Sequence, residues 1–376
     1  MKVVIAPDKF KGSLSSFEVA EAIEEGILLA MPECEVIKLT IGDGGDGTAE
    51  AIVTSLGGKW KEVNSLNAMG EQITARFGIV DNKTAVLDVA TASGIAQIAE
   101  ARRNPLKASS AGTGILIREA INCGCRNFII GVGGSATNDA AIGILSELGY
   151  KFLDANGEVL KPTGENLVHI NDIDDSQRLS ILNQCTFSLL CDVDATFYGP
   201  KGAAYLFAPQ KGADVEMVKR LDVGLQNFAS VLKTKYGKSV QNHNFSGAAG
   251  GIGGSMWAVL NASLSQGIYK MLNIIGFERA ISGADLVVTG EGKMDKLTLL
   301  GKAAFGVCGE AAYHGIPTIA LVGSVTNHDL INEYGFLSVF PIPSEPMPLA
   351  EAMQPEITFD NLKRMATQVF RLLLMK

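Results

Sequence analysis

Histidine is scarce in this chain, and the scarcity narrows the chemistry. The four histidines stand apart at 169, 243, 314 and 328, too scattered to build a His-based zinc site. The six cysteines (34, 123, 125, 185, 191 and 308) show no disulfide-like spacing and no Cys-x-x-Cys, so reduced, mostly buried thiols are expected. No uninterrupted apolar run reaches the roughly 18 residues of a membrane span, and the opening Met1-Lys2-Val3-Val4-Ile5-Ala6 is too short for a signal h-region. Positive charge is not in excess: 32 Lys and Arg against 40 Asp and Glu leave −8, which removes the footprint of a nucleic-acid or acidic-membrane binder. The Gly-x-x-x-x-Gly-Lys-Ser/Thr P-loop and the protein-kinase motif set are also missing. What remains is a cytoplasmic protein with small-molecule ligands, in which any phosphoryl transfer uses another scaffold.

What the chain does have is glycine, 42 residues of it, gathered in short runs and not spread as low-complexity sequence. A length of 376 residues suggests two domains, with ample core. Short β-branched runs alternate with amphipathic helical patterns, the α/β signature. Val3–Ala6 reads as a buried strand. Val19, Ile23, Ile27 and Ala30 give the next segment a helical stripe that Pro32 ends. Between 59 and 90 the texture changes to alternating apolar and polar residues around the turn Asp81-Asn82-Lys83, which is antiparallel hairpin chemistry. The α/β pattern then returns, with a helix expected over Asp139–Leu148 and a strand over Asp285–Thr289.

The glycine runs sit beside charge. Ala6–Ser13 follows the first strand and carries Asp8, Lys9 and Lys11. Asp43-Gly44-Gly45-Asp46-Gly47-Thr48 follows another strand and opens a helix that Asp46 or Thr48 caps. Cys191-Asp192-Val193-Asp194 ends a strand with carboxylates at i and i+2, which an extended chain aims at one face. Lys201 and Lys211 lie on Gly/Pro turns downstream. Gly290-Glu291-Gly292-Lys293-Met294-Asp295 reads as a loop at the end of a buried strand. Glycine lets backbone N–H groups close on an anion, and neighbouring carboxylates suit a hard cation such as Mg²⁺. Several such loops in one chain point to a phosphate-handling enzyme.

Gly131-Val132-Gly133-Gly134-Ser135-Ala136 supports a second reading. It matches Gly-x-Gly-x-x-Ala after a strand, with Asp154 placed about where a ribose-binding acid belongs. On that window alone the chain is an NAD(P)-dependent oxidoreductase. Thr137-Asn138-Asp139 crowds more polar groups into the helix start than a pyrophosphate turn needs, and Asp154-Ala155-Asn156-Gly157 also reads as a hairpin turn.

Taken in order, the motifs Met1–Lys11, Gly131–Asp139, Cys191–Asp194, Pro209–Gly212 and Thr289–Asp295 resemble the bacterial glycerate kinase family that includes the glyoxylate- and galactarate-pathway enzymes. The resemblance implies ATP- and Mg²⁺-dependent phosphorylation of D-glycerate to 2-phosphoglycerate. It implies two α/β domains: a permuted flavodoxin-like domain at 1–75 plus 282–376, and an inserted restriction-endonuclease-like domain at 76–281, with the site in the cleft between. Asp192 or Asp194 would then be the base or Mg²⁺ ligand, with Asp295 a second metal candidate, and Lys9 and Lys293 would neutralise phosphate or carboxylate. Gly133, Gly134 and Ser135 would hold nucleotide phosphates through N–H groups. Asp8, Lys11, Asp43, Asp46, Asn138, Asp139, Lys211, Gly290 and Glu291 complete the expected contacts. Two positions depart from the family pattern: Ala195-Thr196 replaces Asn-Pro, and Leu297 replaces the Gln before Thr298.

Overall fold

A computed structural model of the chain describes residues 1–42, 44–295, 298, 302–326 and 328–374. Asp43 and Leu297, both singled out above, lie outside these residues. The chain divides into two compact units, Met1–Asp43 with Ile268–Lys376, and Gly44–Gly267. Both are α/β.

The first unit is built on five parallel strands in the order β13-β12-β11-β1-β2. They are β1 (Lys2–Ile5), β2 (Glu35–Lys38), β11 (Leu286–Met294), β12 (Thr318–Val325) and β13 (Ser338–Pro341). The β-branched residues Val3, Val4, Ile5, Val287 and Val288 are fully buried, as a sheet covered on both faces requires. The helix Ser16–Ala30 begins at a capping box: Ser15 Oγ accepts from Glu18 N and the Glu18 carboxylate accepts from Ser15 N. Its buried positions Val19, Ile23 and Ile27 are those of the sequence stripe. From β1 the chain winds one way to β2, and from β11 it winds the other way to β12 and β13. β1 and β11 are neighbours, so their carboxyl ends form a topological switch point, where open α/β sheets bind ligands.

The second unit has six strands in the order β10-β9-β6-β5-β4-β3: β3 (Lys59–Leu66), β4 (Gln72–Val80), β5 (Thr84–Asp88), β6 (Asn127–Gly131), β9 (Thr186–Cys191) and β10 (Ser263–Gln266). β5, β6, β9 and β10 run parallel, while β3 and β4 add an antiparallel hairpin edge. The turn into β5 places Asp81 and Asn82 at φ +49° and +60°, the left-handed pair of a tight hairpin. The wet-face alternation expected up to residue 90 stops at β5, which is buried throughout because it lies between β4 and β6. A separate two-stranded sheet pairs β7 (Lys151–Leu153) with β8 (Asp172–Asp174).

Two expectations change. The boundary placed at 75/76 falls inside β4, which pairs with β3 along its length and with β5 at its end, so the hairpin stays with the second unit. The helix expected from Asp139 begins only at Ile142, because Ala140 and Ala141 take φ +50° and +61°. Among the described residues no helix is long and apolar enough to cross a membrane.

Candidate active site

In the second unit, the carboxyl ends of β5, β6 and β9 bring three loops together. Gly133 N donates to Gly44 O at 2.9 Å, and Val132 N to Leu190 O at 3.2 Å. Contact this close needs glycine. A Cβ on Gly133 would stand 2.5 Å from Gly45 Cα and 3.1 Å from Asp192 Oδ2, and one on Gly131 would stand 2.3 Å from Asp88 Oδ1. Gly134 and Asp46 are exposed on the outer side of this junction, as is Asp192. The arrangement is a backbone N–H loop beside exposed carboxylates, of the kind that handles phosphate with a hard cation.

Asp88 underlies the junction and was not among the residues picked out from the sequence. It is 3 % exposed. Its Oδ2 accepts from Gly47 N at 2.9 Å, and its two oxygens accept from Ala49 N at 3.1 and 3.2 Å. A carboxylate at the positive end of the helix Thr48–Ser55 satisfies donors that the helix leaves open. An acid from β5 thus caps the start of this helix, and Thr48 Oγ1 accepts from Gly44 N at 3.0 Å. The available signal was an acid closing a fully buried strand.

The two carboxylates of the Cys191–Asp194 segment separate in role. β9 ends at Cys191 and the chain bends at 192–193, so the extended geometry that aims i and i+2 together is lost. Asp194 Oδ1 accepts from Phe245 N at 2.6 Å, which ties it to the turn before the Gly247–Gly254 run. Asp139 also turns inward. It is fully buried, and its Oδ2 accepts from Ser110 N at 2.7 Å, Ser110 Oγ at 2.8 Å and Gly143 N at 3.2 Å. Burial pushes its carboxyl above the usual range, against the pull of those bonds. Lys211 is 2 % exposed and reaches Ser135 Oγ at 3.0 Å and Thr137 O at 2.6 Å. Burial drives its ammonium down to about 7, while the charges of Asp139 and Asp192 push the other way. Asn138 is fully buried, and neither amide atom has a hydrogen-bond partner.

The remaining expected residues gather at the switch point of the first unit. Asp8 N donates to Gly290 O at 2.8 Å, and the Asp8 carboxylate accepts from Lys9 N at 2.8 Å. A Cβ on Gly292 would lie 3.8 Å from Lys11 N, so the loop after β1 runs along β11. The segment read as a Gly290–Asp295 loop is strand through Met294, paired as Gly290↔Leu321, Glu291↔Val322 and Lys293↔Ser324. Lys293 Nζ stands 3.3 Å from Asp295 Oδ2, and Lys302 Nζ stands 3.6 Å from Glu291 Oε2. Glu291 is 5 % exposed and its Oε1 has no partner. Burial raises its carboxyl to about 7, against the Thr298 hydroxyl and the Lys302 ammonium. Lys302, like Asp88, was not anticipated.

A folded-state proton affinity above the unfolded one favours folding most below the unfolded value, and the advantage is lost as pH rises through the folded value. For Glu291 that window runs from 4.5 to about 7. Glu291→Gln is therefore expected to leave stability near pH 4 almost unchanged and to raise it at pH 8, by at most about 3 kcal/mol. Urea unfolding midpoints at the two pH values measure this; an equal shift at both would show that the carboxylate charge is not the cause.

The dinucleotide alternative fails on topology. A ribose-binding acid belongs on the strand beside the glycine turn, but β6 is flanked by β5 and β9. Asp154 follows β7 in the separate sheet, and its Oδ1 accepts from Asn156 N and Glu158 N at 2.8 and 2.9 Å, closing the hairpin turn.

Comparison with known proteins identifies the family. The family model described as "Glycerate kinase family" matches residues 3–374. The chain is 41% identical to the glycerate kinase of Bacillus cereus (strain ATCC 10987 / NRS 248), over 98% of this chain and 97% of that one. It is 38% identical to the glycerate 2-kinase of Escherichia coli (strain K12), again over 98% and 97%. Among solved structures, the crystal structure described as "putative glycerate kinase 2" from Salmonella typhimurium LT2 superposes with a TM-score of 0.89 at 37% identity, covering 100% of this chain and 98% of that one. A whole-length match of this kind makes the chain a kinase, and it belongs to the glycerate kinase family.

Proposed function

We propose that this enzyme transfers the γ-phosphoryl group of ATP to the 2-hydroxyl of D-glycerate, giving 2-phosphoglycerate, with Mg²⁺. The observation that carries the reading is the Gly131–Ser135 loop docked against Gly44 and Gly45, with Asp192 beside it. The full-length similarity to a protein named glycerate 2-kinase supports the regiochemistry.

Phosphoryl transfer asks mainly for positioning and for charge to be neutralised. The N–H groups of Gly134 and Ser135 hold nucleotide phosphate, while that of Gly133, expected from the motif to join them, is given to Gly44 O and anchors the loop. Asp192 is the carboxylate at the transfer point, where it takes the proton of the attacking hydroxyl or holds the cation; both roles need its charge. Lys9, Lys11 and Lys293 neutralise phosphate or the glycerate carboxylate, with Asp8, Gly290 and Glu291 shaping their surroundings, and Asp46 borders the phosphate loop at Gly134. Asp43 is a further proposed contact, on the grounds of its sequence motif.

Mg²⁺ keeps several waters and is commonly held by one or two carboxylates together with substrate phosphates. Asp192 fits this use. Asp295 fits less well, because the Lys293 ammonium is 3.3 Å from its carboxylate. When bound, the ion supplies neutralisation of the charge on the transferring group.

The test is ADP release from Mg-ATP with and without D-glycerate, with the product examined by ³¹P NMR. Glycerate-dependent ADP and a phosphomonoester resonance split into a doublet by one proton are expected. A triplet would move the phosphate to the 3-position, and ADP release indifferent to glycerate would remove the reading.

A further inference from the structure

The Gly131–Asn138 segment has a buried cation behind it. Lys211 ends the turn Pro209–Lys211 and is 2 % exposed, so its head group does not lie on the outer side of the loop, where Gly134 is exposed. An ammonium has three N–H donors. Two of them end on this loop, at Ser135 Oγ (3.0 Å) and Thr137 O (2.6 Å). The backbone of the loop is tied at Val132, Gly133, Gly134 and Ala136, whereas the side chains Thr137 Oγ1 and the Asn138 amide are buried without hydrogen-bond partners, so Lys211 is the side-chain tie on its inner side.

A buried ammonium is costly to keep. Replacing a buried ion pair by apolar side chains is often neutral or stabilising, but removing one partner alone leaves the other uncompensated, and the charge of buried Asp139 acts on Lys211. Lys211 thus contributes to the fold as well. Its two bonds, however, end on the residue whose backbone N–H is proposed to meet phosphate and on the residue two positions beyond.

We propose that Lys211 is a positioning residue that holds Ser135 and Thr137 from inside the protein and so keeps the N–H groups of Gly134 and Ser135 in their phosphate-binding geometry. The inference rests on the phosphate-loop reading above and replaces the expectation that Lys211 touches the ligand. Its action is on nucleotide affinity, through the loop, and not on glycerate affinity.

The test compares wild type with Lys211→Met and Ser135→Ala by calorimetric titration with Mg-ADP and, separately, with D-glycerate, alongside thermal melting. Lys211→Met is expected to melt below the wild-type temperature, because Ser135 Oγ and Thr137 O lose their donor and the Asp139 charge its counter-charge. It should weaken Mg-ADP binding by about 30-fold, as the loss of two charge-assisted hydrogen bonds implies, and change D-glycerate affinity by less than about 3-fold. Ser135→Ala keeps the backbone N–H and removes one of the bonds, so a smaller loss of about 5-fold is expected for Mg-ADP alone. Unchanged Mg-ADP affinity in Lys211→Met overturns the proposal, as does equal weakening for both ligands. If Lys211→Met does not fold, Ser135→Ala decides: wild-type Mg-ADP affinity there overturns it. A wild type that binds no Mg-ADP would instead bring down the phosphate-loop reading itself.

Discussion

Asp192→Asn is expected to lower kcat by about 10³-fold, the range found when a positioned acid or base is removed, while the melting temperature moves by no more than a few degrees. Asparagine has nearly the same shape but neither accepts the hydroxyl proton nor offers a charged ligand to a cation. Asp192 is exposed, and an exposed charge is screened by solvent, so its action on Lys211 is expected to cost no more than about 1 kcal/mol of stability when the charge is removed. The tie between Gly133 N and Gly44 O is between backbone atoms and does not involve the substituted side chain. Steady-state kinetics and a thermal melt on one preparation settle the matter. A clear stability loss with normal turnover would assign Asp192 to the fold and leave the chemistry to another carboxylate.

Asp88→Ala is expected to do the reverse, costing stability first. The change leaves Gly47 N and Ala49 N without the carboxylate that accepts from them. Hydrogen bonds to a charged group are worth about 1.5–3 kcal/mol each, and buried donors left unpaired add their own desolvation cost. A loss of about 3 kcal/mol in urea unfolding, with an unchanged m-value, is the expected result. Function follows structure here: Gly44 O accepts from Gly133 N, so a loosened 44–49 segment also loosens the proposed phosphate loop and raises the KM for ATP. Asp88→Asn keeps one acceptor oxygen and should fall between. Stability equal to wild type in Asp88→Ala would mean that the helix Thr48–Ser55 finds its cap elsewhere.

These two carboxylates show how unevenly the site could be read in the sequence. Asp192 stands in a short acidic motif at a strand end, and the motif alone drew attention to it. Asp88 is a single acid after four residues of buried strand, a weak signal that many strand ends share. Its function comes from a helix that begins 40 residues earlier in the chain. Asp139 misled in the other direction. In the sequence it belongs to a polar helix start beside a glycine run, yet its side chain faces Ser110 and binds the interior. Two left-handed alanines, with no glycine to announce them, delay the helix to Ile142. Glu291 was read on a loop because glycines flank it. β12 supplies pairing partners as far as Met294 and keeps the segment extended, which leaves the carboxyl buried and its proton affinity raised.

By itself the sequence determined the α/β class, most of the elements, the hairpin turn at Asp81–Asn82 and, through its ordered Gly-plus-acid segments, the kinase family. All of these are carried by local pattern: side-chain period, turn chemistry and motif order, each set within a few residues. Only the tertiary structure decided which strand ends meet, that β7 with Asp154 leaves the sheet of β6, that Asp88 caps Gly47 across 41 residues, and that Lys211 stands behind Ser135 across 76. Strand order and register bring such distant groups together, and burial then sets their charge and their hydrogen bonds. Neither is a property of any short stretch of chain.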